Sequence, residues 1–130
     1  MNKLQDINTN KAPKAVGPYS QAIRADRFIF CSGQIGLDPK TNILVKGGIE
    51  KETEQVLKNL SKVLKATGLN FKNVVRCDIF IKNMGDFAKV NEIYEKYFSS
   101  NPKPARQTVE VSNLPKNALI EISCIAYFEK

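Results

Sequence analysis

The sequence predicts an α+β protein with a single sheet that carries two helices on one face. Two long segments have apolar residues at helical spacing, and the segments around them show the period-two alternation of β-strands. The chain has 130 residues, of which 42% are hydrophobic and 25% are charged, values typical of one globular domain. No internal repeat or linker divides it, so residues 1–130 are expected to form one domain.

The N-terminal part predicts a β-hairpin. Residues 20–25 and 28–32 have strand composition, and Asp26-Arg27 is short enough to join them through a tight turn. Gly33 then breaks the second strand. Residues 35–48 have the composition of a loop with a short extended piece near its end, and an extra strand could precede the hairpin.

The middle of the chain predicts a helix, a strand and a second helix. Residues 49–67 place apolar residues on one stripe, and Gly68 follows as a residue able to take a positive φ. Residues 74–82 alternate, and one face of this strand is entirely apolar: Val75, Cys77, Ile79 and Ile81. Residues 86–99 again have helical spacing, and the prolines that follow end this helix.

Two strands, residues 105–111 and 119–128, complete the order β-β-α-β-α-β-β. Right-handed crossovers place both helices on one face of the sheet, so the other face is left uncovered. The predicted uncovered face mixes apolar and charged residues: Val74, Phe80, Leu119, Ile125, Tyr127, Arg76, Asp78, Arg106, Thr108 and Glu121. Because such a face is too apolar for water and too charged for a core, we expect a homo-oligomer with sites between its subunits.

Composition excludes several classes of function. The chain has no histidine, so it lacks a common metal ligand and the histidine of Ser-His-Asp, Cys-His and many ribonuclease mechanisms. Its cysteines, Cys31, Cys77 and Cys124, are far apart, which argues against a zinc site or a disulfide framework and favours buried, reduced thiols. No metal site is therefore expected.

Charge and hydropathy bear on partners and location. The net charge of +7 would attract anions, but the lysines are dispersed, which is more typical of a solvated surface than of a nucleic-acid stripe. No apolar run approaches the ~18 residues needed to span a membrane, and the N-terminus has no secretory signal. We therefore expect a cytoplasmic protein without a membrane partner, with an organelle left open.

Four short clusters contain residues that could carry chemistry. Tyr19 follows a Gly-Pro turn and Ser32-Gly33 ends a strand, and each has an ordinary structural explanation, as a packed ring and as a glycine break. Arg106 could bind a carboxylate through two parallel N–H groups or form a salt bridge between subunits. Glu121, inside an apolar strand, could pair with Arg106 or a lysine, or could activate water.

In and around these clusters the sequence resembles the RidA family, also called the YjgF family, over residues 8–127. Five blocks occur in the family's order and spacing: residues 15–22 (AVGPYSQA), 31–36 (CSGQIG), 90–94 (VNEIY), 104–106 (PAR) and 114–122 (LPKNALIEI). The resemblance implies a chorismate-mutase-like subunit in a homotrimer, whose three sheets enclose a central β-barrel and whose three clefts lie at the subunit interfaces. It also implies hydrolytic deamination of reactive enamines and imines, such as 2-aminoacrylate and 2-iminobutyrate, to 2-keto acids and ammonia.

The resemblance also assigns roles to individual residues. Arg106 matches the family's carboxylate-binding arginine, and Glu121 matches its water-positioning glutamate. Tyr19 and Ser32 match the tyrosine and serine of the cleft, and Asn91 matches a further conserved position. These residues are therefore expected to bind the substrate or to act on it.

Thr108 departs from the family pattern, because a number of active members have cysteine at this position. Thr108 still offers a hydroxyl and a backbone N–H, and backbone N–H groups near Gly33 and Thr108 could help to hold the substrate carboxylate. The imine carbon is already electrophilic, so the implied chemistry requires no cofactor.

Two other functions stay open at this point. The family has also carried the names ribonuclease and translation inhibitor, and the positive charge favours RNA as a partner. The absence of histidine and of an aromatic-rich basic platform argues against RNA as the substrate. Alternatively, a binding or chaperone-like protein without catalytic activity could use the same cleft for metabolites.

Overall fold

The computed structural model describes residues 3–129, which form one mixed six-stranded sheet with two long helices against one of its faces. The predicted α+β class and element order are confirmed, and the extra N-terminal strand is present. The elements are β1 (Gln5–Ile7), β2 (Ala22–Ala25), β3 (Phe28–Gln34), α1 (Gly48–Lys65), β4 (Val74–Ile81), α2 (Phe87–Tyr97), β5 (Ala105–Glu110) and β6 (Ile120–Tyr127).

The sheet has the strand order β1-β2-β3-β6-β4-β5, and β4 and β5 form its parallel pair. The last strand of the chain, β6, lies between β3 and β4. Its buried residues alternate with partly exposed ones, so Ile120 and Ile122 face the helices and Glu121 faces the other way. This alternation determines the face on which the candidate carboxylate lies.

The first helix supplies much of the core. It packs against β3, β6 and α2 through a stripe of completely buried side chains: Val56, Leu57, Leu60, Val63 and Leu64. Gly68 takes a φ of 85° just beyond the C-cap Ala66, as the sequence predicts. On α2, which packs beside α1 on the same face of the sheet, Val90, Ile93 and Tyr94 are buried in this core.

One prediction about β4 is wrong. Val74 is buried and Val75 is 42% exposed, the reverse of the predicted assignment. The register between β4 and β6 shifts between Val74 and Arg76, which marks a β-bulge. One extra residue in a strand reverses the face of the side chains that precede it, and the residues after the bulge alternate as predicted.

A second correction concerns β5. Arg106 and Thr108 pair in register with Cys77 and Ile79 of β4, and directly paired residues share a face of the sheet. Arg106 and Thr108 therefore lie on the helix-covered face, not on the predicted uncovered face. The reason is that β5 is an edge strand whose residues are mostly exposed, so its sequence contains no apolar face that reveals its orientation.

No part of residues 3–129 covers the face opposite the helices, as predicted. Its exposed aromatic and aliphatic side chains include Phe28, Phe30 and Val109. Phe28 packs against Tyr127 with 5.2 Å between the ring centroids, and charged residues of β4 lie on the same face. Large apolar side chains exposed among charged ones are typical of a surface that packs against another protein surface.

Candidate functional site

A cavity of about 580 Å³ lies beside Glu121, near the end of β3. Four of the predicted site residues line it together: Tyr19, Ser32, Gly33 and Glu121. Much of the remaining wall is apolar, with two lysines: Pro13, Val16, Ile35, Leu37, Lys14 and Lys116. A concave pocket with an apolar wall and a few convergent polar groups is the usual form of a small-molecule site.

Gly33 makes room for the Glu121 carboxylate. A Cβ at residue 33 would overlap Oε2 of Glu121, so a larger residue would force the carboxylate to move. The register between β3 and β6 shifts between Cys31 and Gln34, which places Gly33 in a β-bulge. The bulge and the missing side chain together set the position of the carboxyl group.

The environment of Glu121 suits a carboxyl group that exchanges protons. The side chain is half-buried, and burial raises the pKa of this carboxyl above its ordinary value of 4.5. A carboxylate with a raised pKa is a stronger base than an exposed one. Glu121 can therefore act as a general base and, once protonated, as a general acid.

Backbone groups hold Ser32 and Tyr19 at this cavity. Ser32 Oγ donates a 2.6 Å hydrogen bond to the carbonyl of Ser20, and Ser32 N donates one of 3.0 Å to the carbonyl of Gln21. The Tyr19 hydroxyl accepts a long hydrogen bond of 3.4 Å from Val16 N, and its side chain is 53% exposed. The hydroxyl proton of Tyr19 is thus available to a ligand, whereas that of Ser32 is already engaged.

Arg106 lines a different cavity, of about 440 Å³. Its Nη1 donates a 2.7 Å hydrogen bond to Oδ1 of Asn91 in α2. The guanidinium carbon lies 5.0 Å from the ring centroid of Tyr94 and 5.6 Å from that of Phe87, within the range of cation–π interaction. One amide and two rings of α2 thus hold the guanidinium, and the bond to Asn91 uses only one of its several N–H donors.

Asn91 and Thr108 lie on the same side of the sheet as Arg106. Asn91 was predicted to bind substrate, and its side-chain oxygen is occupied by the Arg106 guanidinium. Thr108 Oγ1 is buried and has no hydrogen-bond partner among residues 3–129. A buried hydroxyl without a partner is uncommon in a folded protein, so the Thr108 hydroxyl has hydrogen-bonding capacity that the described residues leave unused.

Within one chain, the sheet separates the two residues that the prediction combined. Glu121 pairs with Phe80 on the uncovered face, and Arg106 pairs with Cys77 on the helix-covered face. The two residues also line different cavities. The expectation that Arg106 and Glu121 share one face of a chain is therefore wrong, and a site that uses both would have to combine residues of two copies.

Sequence reasoning missed residues that shape both cavities. Gln21 lines the Glu121 cavity, and Phe87 and Tyr94 face the guanidinium of Arg106. The helical spacing of residues 86–99 predicts only that these two rings lie on the inner stripe of the second helix. The contact of the two rings with Arg106 follows from the register of β5 against β4. This register is set by the fold and cannot be read from the local sequence.

The three cysteines lie in one row across the sheet, with Cys124 paired in register to both Cys31 and Cys77. All are free and buried, as the prediction of inert thiols requires. Burial raises the pKa of Cys77 to about 11, so its thiol stays protonated at neutral pH. Within residues 3–129, no cluster of three or more cysteine and carboxylate side chains could hold a metal ion.

No helix in the described part of the chain is both long and apolar enough to cross a membrane.

Comparison with known proteins finds relatives along nearly the whole chain. Residues 9–128 match the family described as Endoribonuclease L-PSP. The chain is 51% identical over 120 residues to a human protein named 2-iminobutanoate/2-iminopropanoate deaminase. The aligned residues make up 92% of this chain and 87% of that protein. It is also 51% identical over 124 residues to the chloroplastic Reactive Intermediate Deaminase A of Arabidopsis thaliana, with 95% of this chain and 66% of the relative covered.

A solved structure has the same fold. The Rid-family protein YyfA from Yersinia pestis, described as a protein of unknown function, is similar with a TM-score of 0.94 at 48% identity. The similarity covers 97% of this chain and 100% of that one.

Proposed function

The chain belongs to the endoribonuclease L-PSP family, to which the RidA motifs also point, and on this premise we propose that it deaminates reactive 2-imino and 2-enamino acids hydrolytically. Pyruvate would form from 2-aminoacrylate and 2-oxobutyrate from 2-iminobutyrate, each with ammonia. The observation that carries the proposal is the half-buried Glu121 carboxyl in the wall of an open cavity that Tyr19 also lines. Relatives 51% identical to the chain and named as deaminases support it.

The complete site, in this proposal, lies between subunits of a homotrimer. Glu121 belongs to the uncovered face, where exposed side chains such as Phe30 and Val109 favour contact with another subunit. Arg106 of the partner subunit would then enter the Glu121 cavity and supply a planar fork that binds a carboxylate through two N–H groups. A central barrel of three sheets would cover all three open faces.

The reaction needs a bound carboxylate, a positioned water and one proton carrier. Arg106 binds the substrate carboxylate and so holds the imine carbon near Glu121, and this positioning supplies a large part of the rate enhancement. Glu121 orients a water molecule toward the imine carbon and accepts its proton as the C–O bond forms. The imine nitrogen takes up a proton from the solvent, and the product of this step is a carbinolamine.

Collapse of the carbinolamine completes the reaction. The C–N bond breaks, the hydroxyl oxygen becomes the keto oxygen after losing its proton, and nitrogen leaves as ammonia. Protonated Glu121 returns the proton that it accepted to the departing nitrogen, and the hydroxyl proton passes to the solvent. An enamine substrate enters the same sequence after it takes a proton on carbon and becomes the imine.

The other predicted residues have supporting roles in this proposal. The free hydroxyl proton of Tyr19 binds the substrate at the cavity wall, and Asn91 holds the Arg106 fork. Backbone N–H groups near Gly33 and Thr108 assist in binding the carboxylate. The unused Thr108 hydroxyl replaces the cysteine common in the family, which fits a reaction that needs no thiol nucleophile.

An assay of product release tests the proposal directly. The protein is added to 2-iminobutyrate generated freshly in the cuvette, and 2-oxobutyrate and ammonia are measured together. We expect both to appear faster than in the uncatalysed reaction and in equal amounts. Equal rates with and without the protein would contradict the deaminase function and favour a binding protein without catalytic activity.

RNA cleavage is the second candidate, since the matched family is described as an endoribonuclease. A labelled RNA incubated with the same preparation provides the comparison. Cleavage that survives in Glu121→Gln, together with no deamination, would favour this alternative.

The cytoplasm is the proposed location, with an organelle as the alternative, because one relative is a chloroplastic protein. Fractionation of the source cells, followed by immunoblotting, is expected to find the protein with cytoplasmic markers.

A further inference from the structure

Gln21 is a buried amide that the chemistry above does not use. It belongs to the motif of residues 15–22, immediately precedes β2 and is only 2% exposed. The residue also borders the Glu121 cavity. A buried amide is retained in a fold only when its polar atoms are hydrogen-bonded, so its partners indicate what it does.

All the hydrogen-bond partners of the Gln21 amide are backbone groups of one N-terminal segment. Its Oε1 accepts a 2.7 Å hydrogen bond from Thr9 N. Its Nε2 donates to the carbonyls of Pro13 at 2.7 Å, Thr9 at 3.0 Å and Ala12 at 3.4 Å. The amide thus binds this segment as a strand would, with both a donor and an acceptor.

The segment that Gln21 holds is a wall of the cavity. Residues 8–21 contain no helix or strand, so no sheet or helix hydrogen bonds determine their shape. Pro13, Lys14, Val16 and Tyr19 reach the cavity from this segment. The Gln21 side chain holds the first part of this segment, at Thr9, Ala12 and Pro13, where no strand or helix does.

We propose that Gln21 is a positioning residue that shapes residues 9–19 into one wall of the cavity and so places Tyr19 for substrate binding. The proposal rests on the deaminase function. The backbone carbonyl of Gln21 also accepts the N–H of Ser32 at 3.0 Å, so the same residue ties this wall to β3, which carries Gly33 under Glu121.

The geometry demands glutamine and not a residue of similar shape. Glutamate has the same length, but it has no N–H donors and would place a buried negative charge against three carbonyl oxygens. Asparagine keeps the amide but is one methylene shorter, so it cannot reach the same partners. Both substitutions should loosen the wall while Glu121 and Arg106 remain in place.

The test compares Gln21→Glu and Gln21→Asn with Gln5→Glu, which makes the same amide-to-acid change at an exposed position of β1. Steady-state deamination of 2-iminobutyrate gives kcat and KM separately. We expect KM to rise at least about tenfold in Gln21→Glu, with kcat within about threefold of wild type, because binding contacts are lost and the reacting groups are kept. Gln5→Glu should match wild type.

A second measurement does not depend on the activity. Under native conditions trypsin cleaves after lysines in mobile segments, and Lys11 and Lys14 lie in this wall. Mass spectrometry should show cleavage after these lysines at least about tenfold faster in the Gln21 variants than in wild type and Gln5→Glu.

The possible results distinguish a failure of the Gln21 proposal from a failure of the proposed deaminase function. An unchanged KM in Gln21→Glu would overturn the proposal. This holds even if the apparent kcat is lower, because less folded enzyme lowers the apparent kcat and leaves KM as it was. If wild-type protein shows no deamination, the proposed function fails and the trypsin result alone decides whether Gln21 holds the wall. If Gln21→Glu does not fold, Gln21→Asn supplies both measurements, and unchanged cleavage in it would overturn the proposal.

Discussion

At the residue scale, the chemistry depends on the protonation of a single carboxyl group. Glu121 accepts a proton only when it is deprotonated, and burial raises its pKa above 4.5 in the folded protein. We expect kcat/KM to decrease as the pH falls through this raised pKa, because the proton-accepting form is lost, and to level off above it. The pH range of this decrease, the acid limb of the profile, would be measured by initial rates of 2-oxobutyrate release across pH. The imine concentration would be determined at each pH.

Glu121→Gln is the matched variant, since glutamine keeps the shape and cannot take the proton. It should lower kcat by about 10²–10⁴-fold, the usual contribution of general acid–base catalysis, and its residual rate should lack the acid limb. A variant with wild-type turnover, or one that keeps the limb, would show that another group carries the proton.

Arg106 is the second residue whose substitution is informative. Lysine keeps the charge but cannot form two parallel N–H bonds, so even Arg106→Lys should impair deamination. Removing the partner of a buried charge commonly costs about 2–5 kcal/mol, so Arg106→Ala should lower kcat/KM by roughly 30-fold to several thousand-fold. Kinetics and sedimentation on the same preparation separate an anchor from a structural residue.

The matched control is Arg24, whose guanidinium carbon also lies over a ring, 4.2 Å from the centroid of Phe128. Arg24→Ala should keep near-native kcat/KM. An Arg106→Ala protein that sediments like wild type and turns over normally would refute the anchor role. Loss of assembly with normal turnover in the assembled fraction would assign Arg106 to the interface alone.

At the element scale, one buried carboxyl joins α1 to the start of β6. Glu52 is 6% exposed, and its Oε1 accepts a 2.9 Å hydrogen bond from Leu119 N. The backbone of Glu52 also packs so closely against Gly36 that a Cβ there would lie 3.0 Å from its Cα. Burial raises the pKa of the Glu52 carboxyl above 4.5, and the hydrogen bond to Leu119 lowers it by a smaller amount.

The raised pKa of Glu52 predicts how stability depends on pH. The folded state keeps the Glu52 proton to a higher pH than the unfolded state does, so this contribution is present below the unfolded pKa and is lost as the pH rises through the folded pKa. Glutamine cannot lose a proton, so Glu52→Gln should gain stability relative to wild type as the pH increases through that window. Urea unfolding at fixed protein concentration would measure the difference.

The control for Glu52→Gln is Glu54→Gln on the same helix, at a site whose ion pair with Lys51 is largely solvated. It should unfold with the pH dependence of wild type. A further variant, Glu52→Leu, leaves the Leu119 N–H without its acceptor and should cost about 1–3 kcal/mol relative to Glu52→Gln at every pH, because neither variant can ionise at this position. Parallel pH profiles for Glu52→Gln and wild type would contradict the assignment of the shift to Glu52.

At the scale of the whole molecule, the open face of the sheet predicts assembly. Sedimentation equilibrium at micromolar concentration should give three times the 14.6 kDa subunit mass.

A charge in the middle of this face, Phe30→Asp, should yield monomers and abolish deamination, because Arg106 and Glu121 lie on opposite faces of one chain. Leu4→Asp adds the same charge at another exposed apolar residue and should leave the trimer and its activity intact. A stable monomer with full activity would contradict both the proposed trimer interface and the proposal that two subunits share one site.

Local pattern was sufficient for much of the fold and for half of the site. Helical spacing and strand alternation depend on neighbours a few residues apart, so α1, α2, the hairpin and the uncovered face could be predicted. The face of Glu121 was also predictable, because it stands between Ile120 and Ile122, whose burial determines the orientation of β6. The family motifs added the residues that line the cavity with it.

The sequence by itself thus determined which segments form strands and helices, and on which face the candidate base lies. Only the tertiary structure decided where Arg106 lies, because β5 is an exposed edge strand without an apolar face, and its register against β4 is set by contacts distant in sequence. The same holds for the bulge that reverses Val74 and Val75 and for the Gln21 amide that binds residues 9–13. Register, bulges and long-range hydrogen bonds arise from packing between segments, and no local period records them.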